Sequence, residues 1–363
     1  MKRLDEKEWK AQPITGLFDK FIPGKGKGLN HLNQGVDGVN YIGATNRGNG
    51  VLCVVVDNEA AHKLIQSGNC IGFIKNGDGA AGFAIYKMEP FISTSDVIYG
   101  YANWLNLDTG LFFVAAQDMI EAKYSHGYKR NQQHLRGDRV MLPVTDSGEP
   151  DYDYMAQYAS EMREGMLMRY KNYVAGQLSQ LEYKDIPALD KKEWNEYALE
   201  ELFSVGAGKR LTNADKIDGN RPFVGATDNS NGITGFVGNR NTSCDKNVLG
   251  VNYNGAPCIA FYHPYECIFT DDVKRLHLLY HKDNEYVLLF FKVIVMQQRT
   301  KYSYGYKFKE KRMLRQKLML PVDDDGKPDY AYMEQYVKNV MLRKYEQYLA
   351  FIDKQNAAEG VTV

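Results

Sequence analysis

The chain has 363 residues and a mass of 41.3 kDa, and its 44% hydrophobic and 25% charged residues are ordinary for globular protein of two or three domains. Disorder, a collagen-like repeat and a disulfide-stapled mini-protein are excluded; no run of 18 apolar residues marks a membrane helix, and MKRLDEKEWK lacks the apolar stretch of a secretory signal, so a cytoplasmic protein without a membrane partner is expected. Lys plus Arg and Asp plus Glu each number 45, which argues against a uniformly basic nucleic-acid coat but leaves room for a local basic face.

Taken in chain order, the sequence repeats itself. Glu8-Trp9 returns as Glu193-Trp194, and Leu17-Phe18 as Leu202-Phe203, both at one offset. A Gly/Lys loop follows in each half, Gly24-Lys25-Gly26-Lys27-Gly28 and Gly206-Ala207-Gly208-Lys209-Arg210. Tyr41–Thr45 and Phe223–Thr227 read as strands, and each leads to Asn-Gly (Asn49-Gly50, Asn231-Gly232), a strong hairpin signal because both residues tolerate positive φ. Val51–Val56 is an apolar β-rich run that suits a buried strand. Short strands are predicted at Cys70–Ile74, Phe83–Tyr86, Cys258–Tyr262 and Cys267–Thr270, and buried helices at Leu111–Ala122 and Glu285–Gln298. Tyr124–Lys129 returns as Tyr302–Lys307, and Met141-Leu142-Pro143-Val144 as Met319-Leu320-Pro321-Val322, again at a shared offset. Each domain is therefore mixed α/β (α+β) with a Gly-rich sheet. Between these anchors residues 57–90 and 239–266 share little, consistent with two sites of one type reading different targets, or with drift after duplication.

A long helix closes each half. Pro150-Asp151 and Pro328-Asp329 supply a proline exit and an N-cap, and apolar residues then recur at heptad-like spacing: Met155, Met162, Met166 and Tyr173 in the first copy, Met333, Val337, Met341 and Tyr348 in the second. Helices of about 25 residues would run about 38 Å. Each could pair with its own copy or fold back on its own domain. The expected organisation is a domain at 1–150, a helix at 151–184, a second domain at 185–328, a helix at 329–356 and a tail at 357–363.

Catalytic motifs are not found. Gly206-x-Gly208-Lys209 fails as a phosphate loop, because Arg210 stands where Ser or Thr is required and Phe203 where the first Gly should be. There is no G-x-S-x-G and no H-E-x-x-H; His126 and His263 read as surface or half-buried residues, and the five cysteines as reduced and buried. Asp323-Asp324-Asp325 and Asp146-x-Gly148-Glu149 precede the helices and read as turns rather than as a cation site. No adenosylmethionine loop is visible. The feature that stands out is basic and aromatic. Arg299, Lys301, Lys307, Lys309, Lys311, Arg312, Arg315 and Lys317 interleave with Tyr302, Tyr304, Tyr306 and Phe308, and the first copy carries Lys123, Lys129, Arg130, Arg136 and Arg139 with Tyr124, Tyr128, Asn131, Gln132, Gln133 and His134. Lys and Arg hold phosphates, and Arg, Asn and Gln can bond base edges in pairs. The candidate DNA contacts are Lys25, Lys27, Arg47, Lys129, Arg130, Gln132, Gln133 and Arg136 in the first half, and Lys209, Arg210, Lys307, Lys309, Lys311 and Arg312 in the second. A solvated charged face is the plainer alternative.

This ordered, duplicated set resembles the specificity subunits of restriction–modification systems, of Type I and of BcgI-like Type IIB kind, over about residues 8–355. The resemblance implies two homologous target recognition domains, each reading one part of a bipartite DNA site, and two spacer helices paired as an antiparallel coiled coil. It implies double-stranded DNA and methyltransferase or fused methyltransferase–endonuclease subunits, two per chain, as partners. It further implies a non-catalytic chain without cofactor, the partner using S-adenosylmethionine and Mg2+ to act on adenine. Helices this short fit the Type IIB-like arrangement better than a long-spacer Type I assembly. The rival from another class is a cytoplasmic scaffold binding protein or glycan through two tyrosine-rich domains.

Overall fold

A computed structural model describes residues 2–358 except Lys27, Asp78, His126 and Tyr304; the expectations placed on Lys27, His126, Tyr304 and the end of the tail lie outside the described residues. The chain divides into two compact units, residues 1–170 and 171–363, and the division falls inside the first long helix.

Each unit carries three sheets in a matching arrangement, the second having four strands in unit 1 and three in unit 2. In unit 1 a four-stranded antiparallel sheet runs Lys20–Pro23, Val97–Tyr101, Cys70–Ile74, Ala84–Lys87. A second runs Gln34–Gly35, Val51–Val55, Val39–Ile42, Phe91–Ser93, with the last pair parallel. A two-stranded ribbon joins Trp9–Pro13 to Arg139–Pro143 and so brings the two ends of the unit together. In unit 2 the four-stranded sheet is Phe203–Ala207, Val273–Leu278, Val248–Asn252, Ala260–His263. Ile233–Val237, Arg221–Val224 and Ile268–Phe269 make the second sheet, its last pair again parallel, and Trp194–Ala198 with Lys317–Pro321 makes the ribbon. The Asn-Gly signals hold: Asn49 and Gly50 adopt φ 51° and 79°, Asn231 and Gly232 φ 52° and 76°, each turning one strand onto its antiparallel neighbour.

The differences from expectation have local causes. Val51–Val55 is a strand but not a buried one: Leu52 is 55% exposed and only Val55 is fully covered, because the strand lies near the edge of its sheet, flanked on that side only by the two-residue Gln34–Gly35. Gly206-Ala207 belongs to a strand, so the second loop is only Gly208 to Arg210. Gly24 and Gly208 serve packing: a Cβ would sit 2.0 Å from the Thr94 carbonyl oxygen in one unit and 1.9 Å from that of Thr270 in the other. The first core helix is Leu107–Gln117, starting earlier than expected because Asn106 caps it, its Oδ1 accepting from the Thr109 amide at 3.0 Å. Asn284 caps Glu285–Met296 through the Val287 amide in the same way. The strands expected at Phe83–Tyr86, Cys258–Tyr262 and Cys267–Thr270 are Ala84–Lys87, Ala260–His263 and Ile268–Phe269. Cys70, Cys258 and Cys267 are buried, and burial pushes each thiol up to about 12; Cys53 and Cys244 are only half-buried. His263 is fully buried, against expectation, and burial brings its pKa down to about 4.

Aromatic rings set the cores. Phe18 packs edge-on against Phe73 and Phe113 at 5.5 and 5.4 Å, and its counterpart Phe203 meets Phe291 edge-on at 4.8 Å. The acidic segments are turns: Asp323 Oδ1 accepts from the Asp325 and Lys327 amides, and Gly326 and Gly148 adopt positive φ.

The long helices are Tyr152–Leu178 and Tyr330–Ala358. Asp151 and Asp329 cap them, accepting from the Tyr154 and Tyr332 amides at 3.0 and 2.9 Å. Each cap is pinned by a lysine from the start of its own unit, Lys7 at 2.5 Å and Lys192 at 2.7 Å. The clamp lays the first turn on the domain. Met155 and Met333 are therefore fully buried in the cores of units 1 and 2, and Val337 packs against the latter. This corrects the expectation that they belong to a partner-facing stripe. Met162, Met166, Tyr173 and Tyr348 remain 43–54% exposed. Within unit 2 the end of the first long helix lies beside the second: Tyr173 meets Tyr345 edge-on at 6.3 Å, Lys171 reaches Asp353 at 3.5 Å, and Val174 is fully buried. Among the described residues no helix is long and apolar enough to cross a membrane.

One polar cluster makes the stability of unit 2 depend on pH. His277 Nδ1 lies 2.7 Å from Asp283 and Nε2 3.1 Å from Asp245, which also holds Arg275 at 2.8 Å. The hydrogen bond to Asp283 pushes the imidazole up to about 9, burial opposing and Asp245 assisting. The raised pKa fixes the sign: the contribution is complete below about pH 6.5, the unfolded value, and is lost as pH rises through about 9. In His277→Gln this alkaline loss in urea denaturation should disappear; an unaltered slope between pH 7 and 9 would refute the assignment.

Candidate nucleic-acid interface

In each unit the chain leaves the core helix through a tight turn, closed by a bridge between Ser125 and Tyr128 or between Ser303 and Tyr306. A short helix follows, Gln132–Gly137 or Glu310–Leu314, and then the ribbon strand. The turns are built alike. Tyr124 and Tyr128 stack at 5.8 Å and 13°, and Tyr302 and Tyr306 at 5.8 Å and 12°. A third group covers the outer tyrosine. His134 lies on Tyr128 at 4.4 Å and 26°, and the Arg312 guanidinium on Tyr306 at 3.9 Å. Each is tethered to the residue after that tyrosine: His134 Nδ1 lies 2.6 Å from the Lys129 carbonyl, and Arg312 Nη1 donates to the Lys307 carbonyl at 2.9 Å.

The candidate residues separate into outer and inner sets. Lys129, Gln132, Gln133 and Arg136 are exposed around the first turn, and Lys309 and Lys311 around the second, while Lys307 and Arg312 are half-buried. Gln132 and Arg136 border an open depression of about 390 Å³ together with Lys20 and Phe21. Lys25, Arg47, Lys209 and Arg210 are exposed; Lys25 Nζ donates to the Ile65 carbonyl at 3.2 Å, and Arg47 lies in the turn ahead of Val51–Val55.

Arg130 is not a surface cation, and its place among the DNA contacts is corrected. It is fully buried, its Nε donating to Asp138 at 2.8 Å and Nη1 to Gln117 at 2.7 Å and to the Gly82 carbonyl at 3.0 Å. Asp138 also accepts from Lys123 at 2.8 Å and from the Tyr124 hydroxyl at 2.7 Å. Burial first, and the neighbouring Asp138 second, raise the Tyr124 phenol above its ordinary value. Phe308, which interleaves with the cations of the second copy, is likewise fully buried. Phe308 aligns with Arg130, and Gln316 with Asp138, at the offset that relates Tyr302 to Tyr124. Gln316 accepts from the Tyr302 hydroxyl at 2.7 Å. An ion pair in one unit and an apolar ring beside an amide in the other thus support the same turn. His134 was left out of the candidates; the signal was its alignment with Arg312 at that same offset.

Comparison with known proteins shows the family. Residues 191–348 match the family model described as Type I restriction modification DNA specificity domain. The chain is 38% identical over 324 residues to the Type II restriction enzyme BgcI specificity subunit S.BcgI of Heyndrickxia coagulans, covering 89% of this chain and 92% of that one. Among solved structures, the Type-I restriction-modification system S subunit from M. genitalium superposes with a TM-score of 0.48 at 16% identity, covering 99% of this chain and 96% of that one. The HsdS subunit from Thermoanaerobacter tengcongensis gives 0.33 at 10% identity, covering 96% and 91%. The chain belongs to the DNA specificity subunits of restriction–modification systems.

Proposed function

We propose that each unit reads one part of a bipartite site in double-stranded DNA, and that the long helices set the distance between the parts. The observation that carries this reading is the repetition of one turn, stack and basic short helix in both units. Within unit 2 the helices meet through Tyr173 and Lys171, which supports the reading that they pair as an antiparallel coiled coil; Met162, Met166, Met341 and Tyr348 are left to serve partner subunits. Helices of 27 and 29 residues run about 40 Å, close to the roughly 34 Å of one B-DNA turn. Phosphate contacts from Lys25, Arg47, Lys129, Arg136, Lys209, Arg210, Lys307, Lys309, Lys311 and Arg312 hold the register, and amides such as Gln132 and Gln133 reach base edges.

The subunit makes no bonds itself. It presents an adenine to a methyltransferase or fused methyltransferase–endonuclease, two per chain, which flips the base out. S-adenosylmethionine and Mg2+ serve that partner, in the cytoplasm. The relative of Type II name favours the Type IIB-like arrangement. The scaffold reading is set aside, because the family assignment leaves nothing in its favour.

Replacing Lys309, Lys311 and Arg312 together by Ala should weaken binding to duplex DNA uniformly across sequences. It should also flatten the slope of log K against log salt by about 0.9 for each phosphate no longer held. A fluorescence-anisotropy titration in KCl reads this; an unchanged slope would place the DNA elsewhere on unit 2.

A further inference from the structure

Above their different supports, the two stacked turns differ in the outermost group. Both pile a polar group on a tyrosine on a tyrosine, and both tether that group to a backbone carbonyl within the turn. The inner tyrosines are anchored from below, Tyr124 by Asp138 and Tyr302 by Gln316. The outer ones are 45% and 50% exposed, so the stacks stand at the surface. The outermost group is held in orientation by a ring face and a hydrogen bond before any ligand arrives, which removes much of the entropic cost of fixing it. Arg312 spends Nη1 on the Lys307 carbonyl and makes no hydrogen bond through Nε or Nη2 among the described residues. A guanidinium so placed is charged at any working pH and suits a phosphate. His134 faces a carbonyl with Nδ1, and a carbonyl only accepts, so Nδ1 carries the hydrogen. The other nitrogen, Nε2, then donates only when the ring is protonated.

We propose that the outermost group of each stack grips one DNA phosphate, Arg312 in unit 2 and His134 in unit 1, so that unit 2 holds its phosphate at every pH and unit 1 only in its imidazolium form. The inference rests on the DNA reading above. Histidine is the side chain whose charge ordinarily changes between about pH 5 and 8. The polar and titratable groups around His134 are few. On the turn these are the rings of Tyr124 and Tyr128 and the neighbour Lys129, and on its own helix Gln132, Gln133 and Arg136. Asp19 and Lys20 line the depression beside Gln132 and Arg136, which His134 itself does not border. Asp138, behind Tyr124, is taken up by Lys123, Arg130 and the Tyr124 hydroxyl. Among the described residues no carboxylate pairs with His134, and the exposed Lys129 and Arg136 draw an anion toward it.

Phosphate contacts are indifferent to sequence, so the full chain and a fluorescent mixed-sequence duplex of about 40 bp suffice. The slope of log K against log KCl is measured at about pH 5.5 and about pH 8.5, either side of the histidine range. The wild type should be steeper at the lower pH by about 0.9, one phosphate. His134→Arg should give the steeper slope at both values, His134→Gln the shallower at both, and Arg312→His should add a second pH-dependent step of about the same size. Circular dichroism at both pH values confirms that the variants are folded. If His134→Arg keeps the wild-type difference, another histidine titrates and this inference falls while the DNA reading stands. If the wild type shows no salt-dependent binding at either pH, the DNA reading falls and takes the inference with it.

Discussion

Replacing Arg130 by Phe alone should cost unit 1 about 3–5 kcal/mol, the range for breaking a buried ion pair from one side. The side chains of Arg130 and Asp138 are both fully buried. Removing the guanidinium takes the partner from Gln117 Oε1 and leaves Asp138 to Lys123 and the Tyr124 hydroxyl alone. Unit 2 shows what the same frame accepts instead: at one common offset Phe308 stands for Arg130, Gln316 for Asp138 and Val295 for Gln117. The graft Arg130→Phe/Asp138→Gln/Gln117→Val should therefore recover most of the loss and finish within about 1.5 kcal/mol of the wild type, since well-packed replacements of buried pairs are often neutral or better. Urea denaturation of the three proteins reads this as a midpoint that falls and then returns. Because Arg130 contacts no solvent, the graft should also keep the salt slope of DNA binding. A graft as unstable as the single variant would show that the two turns are not built on interchangeable supports.

The two turns also show what could be read without a structure. The duplication, the Asn-Gly turns and the aspartate caps were legible because each depends on a few neighbouring residues whose chemistry allows little else. Burial was not. Arg130 lies in a run of cations and reads as one of them, and only its alignment with Phe308 hinted that the position faces inward. Met155 and Met333 keep the spacing of a helix seam, yet the spacing says nothing of which neighbour the seam meets. That is decided by Lys7 and Lys192, which pin the caps from the opposite end of each unit's sequence. The glycines beside Lys25 and Lys209 read as parts of a basic surface loop. Their actual requirement, contact with the backbone at Thr94 and Thr270, depends on a strand far along the chain. Long-range packing is where a single sequence is silent.

Exchanging residues 8–145 for the same segment of a relative should change one part of the methylated sequence and leave the other part and the spacing intact. The fold makes this cut a clean one. Trp9–Pro13 pairs with Arg139–Pro143, so both ends of the exchanged segment lie in one ribbon and leave together. Lys7 and Asp151, which clamp the long helix, both stay behind. What crosses the cut is packing: Tyr152 stacks on Trp104 at 4.6 Å, Tyr158 meets Phe112 edge-on at 5.8 Å, and Met155 sits in the unit 1 core. A donor segment must therefore bring aromatic residues to the positions of Trp104 and Phe112, or the helix loses its seat and the spacing drifts with it. Given that match, the old half-site becomes a mismatch. At about 1–3 kcal/mol per base pair, three altered pairs suffice for a loss of binding of order a hundredfold or more. Mapping methylated adenines in a host that carries the exchanged subunit and its partner enzyme reads both parts at once. A change in both parts would mean that the two units read the DNA jointly, and a change in neither would mean that residues 8–145 do not read it.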